Sequence, residues 1–79
     1  MVTEIHAPTI LKSSMTASVG RWFKRVGDPV TLNEPLVEID RDNVTQEVPA
    51  PITGVLSAIM VKDGGSVEQG GLLGTVTSD

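Results

Sequence analysis

Apolar residues along this chain fall in short runs and do not follow helical spacing. Eight glycines and five prolines interrupt the runs every few residues. No segment keeps an i, i+3, i+4, i+7 apolar pattern over three turns, whereas Val, Ile and Thr between turn residues are typical of strands. We predict six strands and two strand stubs. They cover 2–7, 16–24, 29–31 (stub), 36–41, 44–49, 54–61, 66–68 (stub) and 72–77.

An internal repeat organises these strands. Gly27 and Gly64 are 37 residues apart, and apolar residues match at the same offset. The matched pairs are Trp22 with Ile59, Val30 with Val67, Leu36 with Leu73, and Ile39 with Val76. Two copies of one unit predict a two-fold pseudo-symmetric, all-β sandwich or barrel in which each half supplies strands to both sheets.

The core must be built from short aliphatic side chains, since only Trp22 and Phe23 are aromatic. A chain of 79 residues has room for one core and therefore one domain, residues 1–79. The predicted core residues are Ile5, Val19, Trp22, Val26, Val30, Leu36, Val37, Ile39, Val48, Val55, Leu56, Ile59, Val67, Leu72, Leu73 and Val76.

Charge and composition exclude several classes of function. Six basic against ten acidic residues give a net charge of −4, which disfavours nucleic acid and anionic membranes as partners. The absence of cysteine excludes disulfides and thiolate metal sites, and a single histidine, His6, cannot build a histidine-rich one. No apolar run approaches the length of a membrane span. We therefore expect neither a metal nor a membrane or nucleic-acid partner.

The two halves join at Asp42-Asn43, which lies between two strand-like runs. Asn tolerates positive φ, and both side chains bond to their own backbone in turns. The pair therefore predicts a tight hairpin whose tip protrudes, with the chain ends lying away from it. On residue types alone, the tip is either a good turn pair or a place where the fold presents a group to other proteins.

No other constellation predicts catalysis. Glu38, Asp40, Asp42 and Glu47 are close in sequence, but alternation places Glu38 and Asp40 on one solvated strand face. His6 has no serine motif beside it, so a Ser/His/Asp set with Ser13 or Ser14 is disfavoured.

Two further patterns have a structural reading. Glycines in 70–74 indicate a turn, because no helix follows them. Lys12, Arg21, Lys24 and Arg25 form either part of a mixed surface or a small basic contact for a partner.

Longer segments carry a resemblance to a known family. Residues 27–30, 34–39 and 42–56 resemble the lipoyl domain of 2-oxo acid dehydrogenase acyltransferases, and residues 5–9, 19–24 and 72–74 look most like the 2-oxoglutarate branch. The resemblance implies a flattened barrel of two four-stranded antiparallel sheets, monomeric in isolation. It also implies that residues 1–79 are an N-terminal piece of a larger dihydrolipoamide succinyltransferase.

The resemblance further implies a carrier function in the tricarboxylic acid cycle. In that family a tip lysine bears lipoate, whose swinging arm takes acyl groups and electrons between active sites; the domain itself is not an enzyme. Implied partners are the 2-oxo acid decarboxylase, the flavin dihydrolipoyl dehydrogenase and lipoate ligase. The implied location is the bacterial cytoplasm or the mitochondrial matrix.

This sequence departs from the family at the tip. Asn43, flanked by Asp42 and Val44, stands at the position of the lipoyl lysine, and its carboxamide is not a nucleophilic amine. Arg41 replaces the usual Thr or Ser, and Gly65 the usual Asp of the second turn. We therefore expect no cofactor on this chain.

The rest of the frame matches. Gly27 and Gly54 correspond to the family's turn glycines, expected near the tip. Leu11-Lys12-Ser13 replaces Gly-Glu-Ser in a loop implicated in partner recognition, so these residues with Asp40, Asp42 and Glu47 are the predicted recognition surface. Three alternatives stay open: a non-lipoylated binding or structural module, an engineered or redesigned variant, and a biotinyl carrier, which would present Met-Lys-Met at the tip.

Overall fold

The computed structural model describes residues 1–7, 17–41, 44–68 and 70–78. Every regular element in these ranges is a β-strand, as predicted from the apolar pattern. The strands are β1 (Val2–His6), β2 (Ala17–Trp22), β3 (Pro29–Val30), β4 (Pro35–Arg41), β5 (Val44–Pro49), β6 (Gly54–Ile59), β7 (Ser66–Val67) and β8 (Leu72–Thr77). The described residues include no helix long and apolar enough to cross a membrane.

The strands form two four-stranded antiparallel sheets. The β1 sheet has the order β1-β8-β6-β3, and the β5 sheet has the order β5-β4-β2-β7. Each half of the chain contributes two strands to each sheet, which confirms the predicted flattened sandwich. The molecule is elongated, with extents of 38 × 19 × 18 Å.

The pseudo-dyad extends to the register of individual residues. Val19 lies opposite Ile39 in the β5 sheet, and the residues 37 positions later, Leu56 and Val76, lie opposite each other in the β1 sheet. Both pairs are followed by a one-residue register shift. The two glycine turns match as well, because Gly27 and Gly64 both adopt positive φ, +99° and +82°. The repeat predicted from sequence is therefore a repeat of backbone geometry.

Most of the predicted core is buried between the sheets. Leu36, Leu56, Leu73 and Val76 have no solvent exposure at all. The full buried apolar set is Ile5, Ala7, Ala17, Val19, Val30, Leu36, Val37, Ile39, Val48, Ala50, Leu56, Val67, Leu73 and Val76. Trp22 and Ile59 are partly buried and pack against it, while Leu72 is half-buried.

Two core predictions are wrong. Val55 is 42% exposed, because alternation along β6 turns Leu56 inward and its neighbour outward. Val26 is 57% exposed, because it lies in the turn that Gly27 closes. Consecutive burial of Leu36 and Val37 in β4 has a specific cause, a register shift against β5 at that point.

The chain ends meet at one end of the β1 sheet. The Met1 amino group donates a hydrogen bond to the Ser78 carbonyl at 2.7 Å, and the Ser78 N–H donates to the Met1 carbonyl at 2.8 Å. The pseudo-dyad exchanges this β8–β1 ladder with the β4–β5 hairpin. Thr77, next to Ser78, approaches Gly54, and the segment before Gly54 leaves the hairpin at its Pro35–Pro49 end, so the chain ends lie away from the tip as expected.

Candidate functional site: the hairpin tip and its acidic face

The β4–β5 hairpin locates the predicted tip. Its ladder runs from Pro35 opposite Pro49 to Arg41 opposite Val44, so residues 42 and 43 alone connect the two strands. Val44 begins β5 and is 53% exposed. Asp42 and Asn43 themselves lie outside the described residues, as do Leu11, Lys12 and Ser13 of the predicted recognition loop.

Carboxylates cover the outer surface of this hairpin. Ile39 points inward and is 2% exposed, so its neighbours Glu38 and Asp40 point outward. Asp40 lies opposite Thr45, and Glu38 lies opposite Glu47. We call Glu38, Asp40 and Glu47 the acidic face; two of its members, Asp40 and Glu47, were predicted recognition residues.

Asp40 is held in place by its neighbours on both adjacent strands. The Thr45 hydroxyl donates a hydrogen bond to Asp40 Oδ1 at 3.1 Å. On the other side, a Cβ added to Gly20 would lie 2.7 Å from Asp40 Oδ2. Because Gly20 has no side chain, it leaves the space that this carboxylate occupies. This role was not predicted from the sequence, although a glycine inside a strand often marks a close approach of another group.

Glu38 has an opposite charge on one side and a like charge on the other. Arg21 Nε lies 4.0 Å from Glu38 Oε2, and the Arg21 guanidinium is stacked 5.0 Å from the centre of the Phe23 ring. Across the hairpin, Glu47 is exposed and makes no ion pair within the described ranges. The face therefore retains a net negative charge.

The pseudo-dyad shows that the fold does not require this charge. Thr75 and Thr77 of the β1 sheet occupy the positions equivalent to Glu38 and Asp40. Both sheets keep the same register with hydroxyls in one and carboxylates in the other. Glu38 and Asp40 are thus particular to the tip-bearing sheet, whereas Glu4, opposite Thr75, occupies the position equivalent to Glu47.

Both ring nitrogens of His6 make hydrogen bonds. Its Nδ1 lies 2.9 Å from the Gly70 carbonyl oxygen, and its Nε2 lies 2.9 Å from Glu4 Oε1. The hydrogen bond to the Gly70 carbonyl, and next the hydrogen bond to Glu4, raise the pKa of His6. Across the ranges that the structure describes, no three His, Cys, Asp or Glu side chains converge as a metal site.

Gly27 and Gly54 are framework residues, but they do not lie beside the tip. Gly54 pairs with Val30 and approaches the Thr77 carbonyl oxygen so closely that a Cβ would clash with it. The Gly27 N–H bonds to the Leu56 carbonyl in the same region. This region adjoins the end of the hairpin where Pro35 lies opposite Pro49, which is the end away from the tip. The expectation that both glycines lie near the tip is therefore wrong. After β2 the chain turns and enters β3, which belongs to the other sheet.

Comparison with known proteins identifies a matching family. A family model described as "Biotin-requiring enzyme" matches residues 3–76. A solved relative is the lipoyl domain of the 2-oxoglutarate dehydrogenase complex from Azotobacter vinelandii. It is 37% identical, has a TM-score of 0.78 and shares 95% coverage of both chains.

Two curated relatives are longer proteins. One is the dihydrolipoyllysine-residue succinyltransferase component of the 2-oxoglutarate dehydrogenase complex from Bartonella vinsonii subsp. berkhoffii. It is 50% identical over 96% of this chain and 18% of the relative. The corresponding component from Azotobacter vinelandii is 39% identical over 98% of this chain and 19% of the relative. The chain thus spans less than a fifth of the length of either.

Proposed function

The chain belongs to the biotin/lipoyl domain family, within its lipoyl branch, and from this premise we propose that it is the carrier domain of a longer dihydrolipoamide succinyltransferase. The carrier role is not itself catalytic. The parent enzyme would act in the 2-oxoglutarate dehydrogenase complex of the tricarboxylic acid cycle, in the bacterial cytoplasm or the mitochondrial matrix. The two succinyltransferase relatives, 50% and 39% identical, support this choice.

We further propose that this chain carries no lipoate. The observation behind the proposal is the hairpin register, in which the pair Arg41–Val44 leaves position 43 at the tip. In the lipoyl family that position supplies a lysine amine, which forms an amide with the lipoate carboxyl. Asn43 offers a carboxamide, whose nitrogen lone pair is delocalised and not nucleophilic. The residue present does not fit the group.

An assay with lipoate ligase tests both the absence of lipoate on this chain and the proposed carrier role. The unmutated chain and Asn43→Lys are each incubated with ligase, lipoate and ATP, and their intact masses are measured. We expect one lipoyl increment on Asn43→Lys and none on the unmutated chain, whose other lysines serve as internal controls. Val44→Lys is the matched control, because it presents an amine one residue further along the strand.

Each outcome has one meaning. An increment on the unmutated chain would disprove the unlipoylated state. No increment on Asn43→Lys would show that the recognition frame is lost, and would favour a purely structural or binding module over a carrier domain. A biotinyl increment on Asn43→Lys with biotin ligase, and none with lipoate ligase, would replace the proposed lipoyl carrier role with a biotinyl one.

The acidic face supports a second proposal, that it receives a basic surface of the 2-oxo acid decarboxylase or the flavin dehydrogenase. Two of its carboxylates, Glu38 and Asp40, are replaced by threonines at the equivalent positions of the other sheet. Asp40→Asn and Glu47→Gln should weaken binding to the decarboxylase, most clearly at low salt. Glu68→Gln, which makes the same charge change in the loop after β7, should not. Equal effects of all three would reject this surface.

A further inference from the structure

A groove opens on the pseudo-dyad axis. It has a volume of about 560 Å³ and is lined by Trp22, Lys24, Arg25, Val26, Ile59, Lys62 and Asp63. Three of its pairs are related by the 37-residue repeat: Trp22 with Ile59, Arg25 with Lys62, and Val26 with Asp63. The axis therefore passes between Trp22 and Ile59, and the two cations flank it.

The floor of the groove is apolar and firmly positioned. Trp22 and Ile59 both pack against the core. The Trp22 indole N–H donates to the Val61 carbonyl at 2.8 Å, and the Trp22 backbone N–H donates to Asp63 Oδ1 at 3.0 Å. With Val26, which is 57% exposed, the floor offers an aliphatic ligand side chain a preformed contact.

The rim of the groove is basic in a chain that is acidic overall. Lys24 is engaged, since its Nζ lies 3.0 Å from Glu34 Oε2. Arg25 and Lys62 are exposed and make no ion pair with any carboxylate in the described part of the chain. Asp63, the groove's carboxylate, already accepts the Trp22 N–H.

The repeat makes this basic rim distinctive. Several equivalent surface positions of the two sheets differ in charge, as with Glu38 against Thr75 or Arg21 against Ala58. Positions 25 and 62 instead carry a cation in both halves. Two cations on either side of an apolar floor complement a segment that has an apolar side chain between carboxylates.

We propose that this groove binds an acidic peptide segment of a partner protein, with one aliphatic side chain on Trp22 and Ile59 and flanking carboxylates on Arg25 and Lys62. The proposal is independent of lipoylation. It makes the domain two-sided, with an acidic face at the tip and a separate basic groove on the axis.

The test uses an acetylated nonapeptide with a central leucine between two pairs of glutamates. Trp22 is the only tryptophan, so its fluorescence reports on the groove directly, and amide chemical shifts map the contact. We expect saturable changes centred on the groove. Replacing the four glutamates with glutamine, or the leucine with alanine, should weaken binding.

Protein variants separate the groove from general charge. Two exposed ion pairs contribute ~0.4–2 kcal/mol together, so Arg25→Gln with Lys62→Gln should weaken binding about 2- to 30-fold. Arg21→Gln, which removes a cation that does not line the groove, is the matched control for Arg25→Gln alone and should weaken binding less. Arg21, Arg25 and Lys62 are exposed, and urea unfolding checks that the variants fold.

Several results would overturn the proposal. These are an absence of saturable binding, shifts centred outside the groove, or equal loss of affinity in Arg21→Gln and Arg25→Gln. A single-stranded oligothymidylate would assign the groove to nucleic acid instead if it bound more tightly than the peptide, lost affinity in Arg25→Gln with Lys62→Gln, and left the Trp22 fluorescence unchanged.

Discussion

Glu38 and Glu47 lie directly opposite each other across the β4–β5 ladder. Directly opposed side chains on one sheet face are about 5 Å apart at Cβ, and like charges there destabilise the fold. Arg21 offsets only part of this repulsion, since its Nε lies 4.0 Å from Glu38 and its side chain is 66% exposed. The tip-bearing sheet therefore keeps a charge arrangement that its stability does not favour.

Removing one of these charges should stabilise the domain. We expect Glu47→Gln to raise the free energy of unfolding by ~0.2–1 kcal/mol at low salt, and the gain to shrink as salt screens the pair. Urea unfolding at two salt concentrations measures it. Glu68→Gln changes the net charge equally without an opposed carboxylate on the ladder, and an equal gain there would attribute the effect to net charge alone.

Leu36 should be among the most sensitive core positions. Its side chain is fully buried in the single core, so Leu36→Ala should cost ~2–5 kcal/mol, a large share of the ~5 kcal/mol expected for a small domain. Leu32→Ala makes the same chemical change at a side chain that is 52% exposed, and should cost less than ~0.5 kcal/mol. Urea midpoints compare them, and similar values would contradict the core assignment.

Stability should also depend on the protonation of His6. Both ring nitrogens face acceptors, the Gly70 carbonyl and Glu4, and the pKa of His6 is raised in the folded state. A raised folded pKa gives a stabilisation that is fully present below the ordinary value of about 6.5 and is lost as pH rises through the folded pKa. The unmutated chain should therefore exceed His6→Gln in stability by more at pH 5.5 than at pH 8.5.

Glu4 variants refine this prediction. The hydrogen bond to the Gly70 carbonyl is the larger cause of the raised pKa and Glu4 the smaller, so Glu4→Gln should reduce the pH dependence without abolishing it. Urea unfolding at the two pH values supplies the comparison. A pH dependence that survives unchanged in His6→Gln would trace it to another group.

Val61 should make position 65 intolerant of any side chain larger than that of glycine. In the equivalent first turn, Asp28 Oδ2 accepts the Arg25 N–H at 2.9 Å. A Cβ at Gly65 would lie 2.6 Å from Val61 Cγ1, so Gly65→Asp alone should cost ~1–3 kcal/mol. In a Val61→Ala background that cost should fall by at least ~1 kcal/mol, because the space is free and a carboxylate can accept the Lys62 N–H.

A double-mutant cycle read by urea unfolding measures this coupling. The control pairs Gly65→Asp with Val55→Ala, a valine that is 42% exposed on β6, and should be additive. Additivity in the Val61 pair as well would show that crowding at residue 65 comes from the backbone.

Patterns of neighbouring residues account for the features that could be predicted from the sequence. The alternation around Ile39, the glycines at 27 and 64, and the Asp42-Asn43 pair are each properties of a few neighbouring residues, and they predicted strands, turns and hairpin. The two wrong core assignments, Val26 and Val55, are valines like the buried Val19 and Val30. Residue type alone does not separate them; a turn conformation exposes Val26, and its position on the outer face of β6 exposes Val55.

The sequence by itself determined the strand pattern, the 37-residue repeat and the position of Asn43 between two strands, because spacing and residue type encode these directly. Only the tertiary structure decided which distant side chains meet. The contact of Asp40 with the space above Gly20 and the groove between Trp22 and Ile59 both depend on how strands distant in sequence pair and on how the two sheets close around the pseudo-dyad. The two-residue turn at 42–43 fixes the register of the β4–β5 hairpin, including the opposition of Glu38 and Glu47, but no local pattern specifies how β4 pairs with β2 or how one sheet packs on the other.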